Sequence, residues 1–254
     1  MNVSDFIYSS KSLSKFKDYY VTSEEFLKAY NKFSIVERKS LVLHYIMDNS
    51  PFAFTMVYEK PLIFEQVRQY ISHILDVDVN NIKLIGSTKT GFSMGYDNYG
   101  APYKKDRDLD FMILDEVLFS KLRIEFGVWQ KAYQEDKTLH PRHEREKEFW
   151  DDHMKNLPKS FGWGYIDTYK MPNRNEFLPV TSKVNNTMAM VVRNLKSEHG
   201  FSTQKASMRV YKDFESYFCQ QNRNIEAILK VKGYKGDDTG GKVAIGGRRL
   251  MAER

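Results

Sequence analysis

The sequence predicts an α+β fold, in which a small mixed sheet carries helices on its open face between a helical N-terminal extension and a helical C-terminal cover. Short apolar runs at 82–85, 108–114 and 206–211 are typical of strands that bury at least one face. Apolar residues at helical spacing, as in 62–75, predict helices that pack on such a sheet. At 254 residues, the chain can bury one substantial core, so one domain with additions is expected.

The composition restricts the compartment and the partners. No apolar run approaches the length that crosses a bilayer, and the first residues lack the apolar core of a secretory signal, so we expect no membrane partner. The single cysteine, Cys219, excludes an internal disulfide and fits the reducing cytosol, which predicts a cytoplasmic protein. The formal net charge is +6, half of it on residues 231–254, and the remainder is too small to indicate nucleic-acid binding.

Residues 1–60 are predicted to form the helical extension. Thr22 and Glu25 match a capping box that opens a helix through about Phe33, and a second helix is expected from Val36 to Met47. We interpret the aromatic residues of this segment as packing residues rather than as a platform for stacking bases: Tyr8, Phe16, Tyr19, Tyr20, Phe26 and Tyr30.

Residues 61–230 are predicted to form the core, and its first strand ends in a Gly-Ser turn. Pro61 suits the first turn of a helix, because an N–H at that position would have no partner within the helix. After that helix and the strand at 82–85, Gly86 and Ser87 offer free backbone N–H groups and a hydroxyl. Such groups hold phosphate oxygens, so the turn is a candidate phosphate site.

Two carboxylates follow on the next predicted strand. Asp108 and Asp110 lie two residues apart, so they project from the same face while Leu109 points the other way. Two such negative charges repel each other unless a cation sits between them. Hard oxygen ligands of this kind suit Mg²⁺ (or Mn²⁺), which binds through one or two carboxylates together with substrate phosphates.

A Gly-rich segment, 88–105, joins the turn to this strand. A structureless loop of this length in a compact domain is usually functional or disordered. Lys89 lies two residues past the Gly-Ser pair and could meet a phosphate, as could Lys104 and Lys105 at the end of the loop. The alternative is that these lysines belong to a solvated basic loop.

The rest of the core is predicted as helices and strands in alternation, followed by a tail. The tail, 231–254, holds six of the fourteen glycines and is predicted to be flexible, either binding an anionic partner or being a remnant of cloning. The predicted elements before it are two helices over 116–157 broken at His140 and Pro141, a strand around Asp167, a helix from Ser182 to Leu195, a strand from Ala206 to Tyr211 and a closing helix from Phe214 to Leu229.

The order helix, strand ending in Gly-Ser, loop, and strand with Asp-x-Asp resembles the nucleotidyltransferase superfamily that includes DNA polymerase beta. More narrowly, GSTKTGFSMG followed by YGAPYKKDRDLDFMI is similar to bacterial predicted nucleotidyltransferases with a long Gly-Phe-Ser loop. The resemblance covers roughly residues 61–115. The chain departs from the superfamily pattern in its longer loop and in Arg107, which replaces a small residue before the first Asp.

The resemblance implies a mixed sheet of the polymerase beta-like type and transfer of a nucleoside monophosphate from an NTP to a hydroxyl on RNA, protein or a small molecule. Asp108 and Asp110 would hold the metals. Superfamily enzymes usually add a third carboxylate from a later strand, for which Asp167 is the first candidate and Asp213 a weaker rival. Asp167 as a turn residue is the alternative.

The nucleotide would contact further groups that the resemblance implies. Gly86 and Ser87 would bind its outer phosphates, and Lys89 would meet the charge that develops on them. Arg209 and Tyr211 share a strand face, and similar proteins carry an Arg-x-Tyr-basic pattern there, so a nucleotide-contacting face is expected. Strand packing with an Arg that reaches to solvent is the alternative.

A second hypothesis is that the chain is a non-catalytic module that senses a nucleotide or a partner on the same scaffold, as in toxin–antitoxin or anti-phage systems. The two hypotheses differ in one observation. In an enzyme, a third carboxylate that reaches Asp108 and Asp110 would support activation of the acceptor hydroxyl, whereas a sensor does not use one.

Overall fold

A computed structural model describes residue 16 and residues 20–234 of the chain. The predicted flexible tail lies outside the described residues from residue 235 onward, and so do Tyr8 and Tyr19. Across the described ranges, no helix combines the length and the apolar character needed to cross a membrane.

The described part of the chain is mixed α+β, with one small four-stranded mixed sheet. The strands stand in the order β1-β2-β4-β3, with β1 antiparallel to β2, β2 parallel to β4, and β3 antiparallel to β4. Their bounds are Ile82–Ile85 for β1, Leu109–Leu114 for β2, Tyr165–Asp167 for β3 and Ala206–Tyr211 for β4.

Helices cover both faces of this sheet. They are α1 (Ser23–Lys32), α2 (Ile35–Leu41, continued by a π-helical turn over Val42–Asp48), α3 (Pro61–Leu75), α4 (Ser87–Thr90), α5 (Glu116–Gln130, continued by a π-helical turn over Lys131–Glu135), α6 (Glu144–Gly162), α7 (Pro179–His199) and α8 (Phe214–Val231). Capping boxes at Thr22 with Glu25, as predicted, and at Ser34 with Glu37 begin the first two.

One face of the sheet is apolar along its whole length. Because side chains alternate along a strand, the pairing register places Leu84, Phe111 and Met208 in one row and Ile113, Val210 and Ile166 in the next. All six are fully or almost fully buried, in a cluster with the apolar sides of α3, α5, α6 and α7. This face supplies the main core.

The opposite face divides into an apolar end and a polar end. Met112 and Tyr211 are buried in a second core with residues of α1, α2 and α8. Within it, Phe26 and Tyr30 of α1 are fully buried, which confirms that they are packing residues, and the Tyr30 hydroxyl donates to Asn222 Oδ1 at 2.7 Å. The N-terminal helices therefore cover part of the sheet, and the polar end of this face stays free for a site.

Two details differ from the sequence-based expectations. The strand around Asp167 is only three residues long and pairs with β4, so it does not lie beside β2 as a third metal-bearing strand would. The segment 88–105 is ordered: Phe92 and Pro102 form a β-bridge, and the Tyr103 amide donates to the Gly91 carbonyl at 2.8 Å. These backbone bonds fold the Gly-rich loop into a compact hairpin.

Candidate functional site

The Gly-Ser turn is built tightly against the second strand. Gly86 has a φ of +70°, a left-handed conformation that favours glycine, and a Cβ there would lie 3.3 Å from Asp110 Oδ2. The hydroxyl of Thr88 donates to the carbonyl of Asp108 at 3.0 Å. The turn therefore lies against the chain at Asp108 and at Asp110, the residues before and after Leu109. Ser87 is half-buried at the start of α4.

Asp110 is the carboxylate at the centre of this arrangement. It stands opposite Ile85 of β1 and Ser207 of β4, and its Oδ1 accepts a hydrogen bond of 2.7 Å from the Ser207 hydroxyl. Burial raises the pKa of Asp110 above its usual value, and the charges of Asp108 and Asp167 raise it further, against the opposing effects of Ser207 and Arg209. A partly buried carboxylate of this kind gains from a nearby cation.

Asp108 lies one residue before β2, which begins at Leu109, and it is exposed. Asp108 and Asp110 both line one cavity together with Gly86 and Ser87. The structure therefore brings together four of the predicted site residues.

Asp167 enters the site from the outer strand and is already neutralised. It is almost fully buried, stands opposite Arg209, and accepts a charge-assisted hydrogen bond from the Arg209 Nε. The Lys170 ammonium lies 3.3 Å from its other oxygen. Two cations thus hold the carboxylate that was expected to complete the metal site.

Three carboxylates do not converge on one point. Among residue 16 and residues 20–234, no group of three or more His, Cys, Asp or Glu side chains is placed to hold a metal ion. The rival candidate, Asp213, caps α8 by accepting from the Ser216 amide at 2.7 Å, which occupies one of its oxygens. The metal site expected from Asp108, Asp110 and Asp167 is reduced to the first two, because β4 intervenes between β2 and β3.

Lys89 does not reach the phosphate turn. Its side chain is 3% exposed, and its ammonium donates to the backbone carbonyls of Met47, at 3.1 Å, and Asn49. Burial lowers the pKa of Lys89 to about 7, with the positive charge of Lys83 adding to the effect. The predicted phosphate contact is therefore wrong, because the amine instead holds the end of the π-helical turn after α2.

Two connected cavities form a cleft around Asp110. The inner chamber, of about 330 Å³, lies between the sheet and α8, and the outer chamber, of about 560 Å³, lies under the Gly-rich hairpin. Gly86, Met94, Gly95 and Asp110 line both, so the two chambers meet there. The outer chamber also contains Lys104 and Arg107, whereas Lys105 lies over the Tyr58 ring, 5.8 Å from its centroid.

Arg209 lines the inner chamber, as a nucleotide-contacting residue would. Besides Asp167, its guanidinium contacts the Tyr211 hydroxyl and Gln220 Oε1, each at 3.4 Å, and lies 5.2 Å from the centre of the Tyr165 ring. Tyr211 itself is fully buried and donates to Gln220. Arg209 thus faces the chamber, whereas Tyr211 packs in the second core.

Sequence reasoning missed Ser207 and the contribution of α8. The sequence alone did not indicate Ser207, because only strand pairing puts it opposite Asp110. The sequence did contain an indication of Gln221. This polar residue lies four residues after Tyr217 and four before Ile225, both buried, so it interrupts the apolar face of the helix. Tyr217, Gln220, Gln221 and Asn224 all line the inner chamber.

Comparison with known proteins adds no relative: the chain matches no protein-family model, no curated protein and no solved structure. What the cleft can do chemically therefore follows from its residues. One wall carries a glycine turn and a hydroxyl, the floor carries two carboxylates, and the rim of the outer chamber carries Lys104 and Arg107. This combination suits a phosphorylated ligand with a divalent cation.

Proposed function

We propose that this chain is a metal-dependent nucleotidyltransferase of the polymerase beta-like type, which moves a nucleoside monophosphate from an NTP to a hydroxyl acceptor. The observation that carries the proposal is the close approach of the Gly86–Ser87 turn to Asp110. A Cβ on Gly86 would lie 3.3 Å from Asp110 Oδ2, so a phosphate on the turn would lie beside the carboxylates. The acceptor on RNA, protein or a small molecule, and a cytoplasmic location, belong to the same proposal.

The outer chamber suits the triphosphate. Ser87 supplies a hydroxyl and the turn supplies backbone N–H groups, which bind phosphate oxygens. Lys104 and Arg107 line the same chamber, and Arg presents a planar fork that matches phosphate geometry. Lys104 and Arg107 take over the role that was expected of Lys89.

The residues present fit Mg²⁺ or Mn²⁺ in part. Asp108 and Asp110 would hold the ion, since Mg²⁺ binds through one or two carboxylates and completes its shell with water and substrate phosphates. The ion would neutralise charge on the phosphoryl oxygens. Asp110 would be deprotonated more easily beside it, because an opposite charge counters the burial that raises its pKa.

The test is transfer of label from each of the four NTPs, radioactive at the α-phosphate, to total cellular RNA or protein in the presence of Mg²⁺ or Mn²⁺. Asp110→Asn keeps the size of the side chain and its ability to accept from Ser207. It should lose at least about a hundred-fold in transfer, because phosphoryl charge stabilisation by a metal amounts to several kcal/mol.

Asp97→Asn is the matched control, since Asp97 is an exposed carboxylate in the Gly-rich hairpin and lines neither chamber. Equal transfer by Asp110→Asn and by Asp97→Asn would refute the assignment.

A second candidate function, a non-catalytic nucleotide sensor as in anti-phage or toxin–antitoxin systems, is favoured by a specific observation. The Asp167 carboxylate is bound by Arg209 and Lys170, so it is not free to assist an acceptor hydroxyl. Transfer of label by the wild type separates the two functions, because a sensor would bind NTP with Mg²⁺ and transfer no label to any acceptor. If the wild type transfers label and Asp167 takes part, Asp167→Asn should abolish transfer with NTP binding retained.

A further inference from the structure

A polar stripe lies on the inward face of α8, where an apolar stripe is the rule. Tyr217, Gln220, Gln221 and Asn224 are spaced by three, one and three residues, which places them on one side of the helix. All four line the inner chamber. The neighbouring positions Phe218, Ile225 and Ile228 are buried and apolar, so the stripe interrupts a core face rather than belonging to a solvated one.

The internal hydrogen bonds of this stripe leave defined groups free. Gln220 uses its carbonyl oxygen to accept from Tyr211 and Arg209, which leaves its amide N–H₂ as a donor. Asn224 uses its N–H₂ to bind the Met94 carbonyl at 2.6 Å, which leaves its oxygen as an acceptor. Among the described residues, the Gln221 amide has no hydrogen-bond partner, and neither does the buried Tyr217 hydroxyl.

One side of the chamber, which holds about 330 Å³, is apolar and is lined by Ile46, Ile85 and Met94. The sheet side carries polar groups, among them Asp110 and Arg209. An apolar side with a few convergent donors and acceptors favours a flat ligand that carries hydrogen-bonding groups along its edge. A nucleobase has this form, since each base presents adjacent donors and acceptors on its edge and apolar faces on either side.

The position of the chamber connects this ligand to the phosphate site. The inner and outer chambers are adjacent, since both are lined by Gly86 and Asp110, and a nucleotide with its base in one and its phosphates in the other would span them. We propose that the inner chamber binds the base of the nucleotide and selects among bases through the amides of Gln220, Gln221 and Asn224. This inference rests on the proposed function, because it takes the outer chamber to hold the triphosphate.

A chamber built in this way should discriminate between bases. A base with the wrong pattern of donors and acceptors leaves buried amides without partners, which makes its binding unfavourable. One good bidentate amide–base pair discriminates by about ten- to a hundred-fold. The expected result is that one of the four NTPs binds at least tenfold more tightly than the rest.

The experiment is isothermal titration of the full chain with ATP, GTP, CTP, UTP and inorganic triphosphate, in the presence of Mg²⁺. Gln221→Leu removes the unpaired amide at similar size and should bring the four NTP affinities together. Its affinity for inorganic triphosphate should stay that of the wild type, since that ligand needs the outer chamber alone. Gln130→Leu, at an exposed glutamine on α5, is the matched control and should keep the base preference.

A second variant covers the case in which Gln221→Leu fails to fold. Gln221→Glu replaces the amide N–H₂ by an acceptor at the same size, and it should weaken binding of the preferred base by about tenfold. Circular dichroism melting of both variants establishes that they are folded. Unchanged NTP affinities in a folded Gln221→Glu protein would overturn the inference.

The outcomes separate this inference from the proposed function. Equal affinities for all four NTPs, with label still transferred, would overturn the base pocket and leave the nucleotidyltransferase standing. A base preference that Gln221→Leu abolishes, with no transfer to any acceptor, would support the pocket and favour the sensor. Failure of every NTP to bind would overturn both.

Discussion

The two faces of the sheet differ in polarity and in exposure. On one face, every row of side chains is apolar and sealed by α3, α5, α6 and α7. On the other, the rows Ile85–Asp110–Ser207 and Met112–Arg209–Asp167 place polar and charged groups beside apolar ones in a partly open cleft. Adjacent residues of one strand, Asp110 and Phe111, therefore belong to different environments.

This difference shows what each face contributes. Burial of apolar surface on the sealed face stabilises the folded state by about 25 cal/mol per Å². The polar face contains a carboxylate whose pKa burial raises and a paired Arg209 and Asp167, neither of which is an efficient source of stability. Groups that a protein keeps at a cost in stability are expected at functional sites.

The largest expected effect is a difference in stability between a substitution at Phe111 and one at its neighbour Asp110. Phe111→Ala should lower the free energy of unfolding by about 3–5 kcal/mol, because it opens a cavity in the sealed core. Asp110→Ala, one residue away, should leave stability unchanged or raise it, since it removes a partly buried charge and its repulsion from Asp108 and Asp167. Urea unfolding followed by circular dichroism measures both, and equal losses would mean that the two faces do not differ as described.

A smaller effect is expected at the phosphate turn. Ser87→Ala should weaken NTP binding by about ten- to a hundred-fold, since a hydrogen bond to a charged group contributes about 1.5–3 kcal/mol. Ser120→Ala, at an exposed serine on α5, serves as the control. Calorimetric affinities that are the same for both variants would remove Ser87 from the site.

Lys89 should make the free energy of unfolding depend on pH. In the folded state, the pKa of Lys89 is lowered from 10.5 to about 7. Between these two pH values the unfolded chain binds more protons than the folded chain, so the free energy of unfolding increases as the pH rises. The slope should approach about 1.4 kcal/mol per pH unit at most. This stabilisation by Lys89 is fully present above the pKa of the unfolded state and is lost as the pH falls through about 7.

Lys89→Met should flatten this pH dependence, and Lys196→Met, at an exposed lysine, should not. Denaturant unfolding at several pH values between 6 and about 9 provides the comparison. A wild-type slope that persists in Lys89→Met would show that another group titrates in this range.

The smallest expected effect is the pH dependence of Asp110. Its folded pKa lies above the usual 3.8, so the protonated carboxyl is favoured in the folded state. The associated stability is present below the unfolded pKa and is lost as pH rises through the folded one. Asp110→Asn should therefore melt higher than the wild type at neutral pH, with the difference disappearing in acid. A constant difference across pH would contradict this.

Local patterns predicted several features well. The capping box at Thr22 and Glu25, the break between α5 and α6 and the first strand at Ile82–Ile85 follow from side chains that act within one turn or one strand. The position of the Gly86–Ser87 turn beside the Asp-x-Asp strand was also accessible from the order of motifs along the chain, and the pairing of Ile85 with Asp110 places it there. The order of strands was not, because the chain does not record whether β3 or β4 pairs with β2.

The sequence by itself determined the local frame of the candidate site: a Gly-Ser turn directly after β1, and Asp108 and Asp110 two residues apart where the next strand begins. Only the tertiary structure decided what surrounds them. It placed β4 between β2 and β3, so that Ser207 meets Asp110 while Arg209 takes Asp167. It also turned Lys89 inward and aimed the amides of α8 at the cleft, since long-range packing selects among side-chain directions that local pattern leaves equivalent.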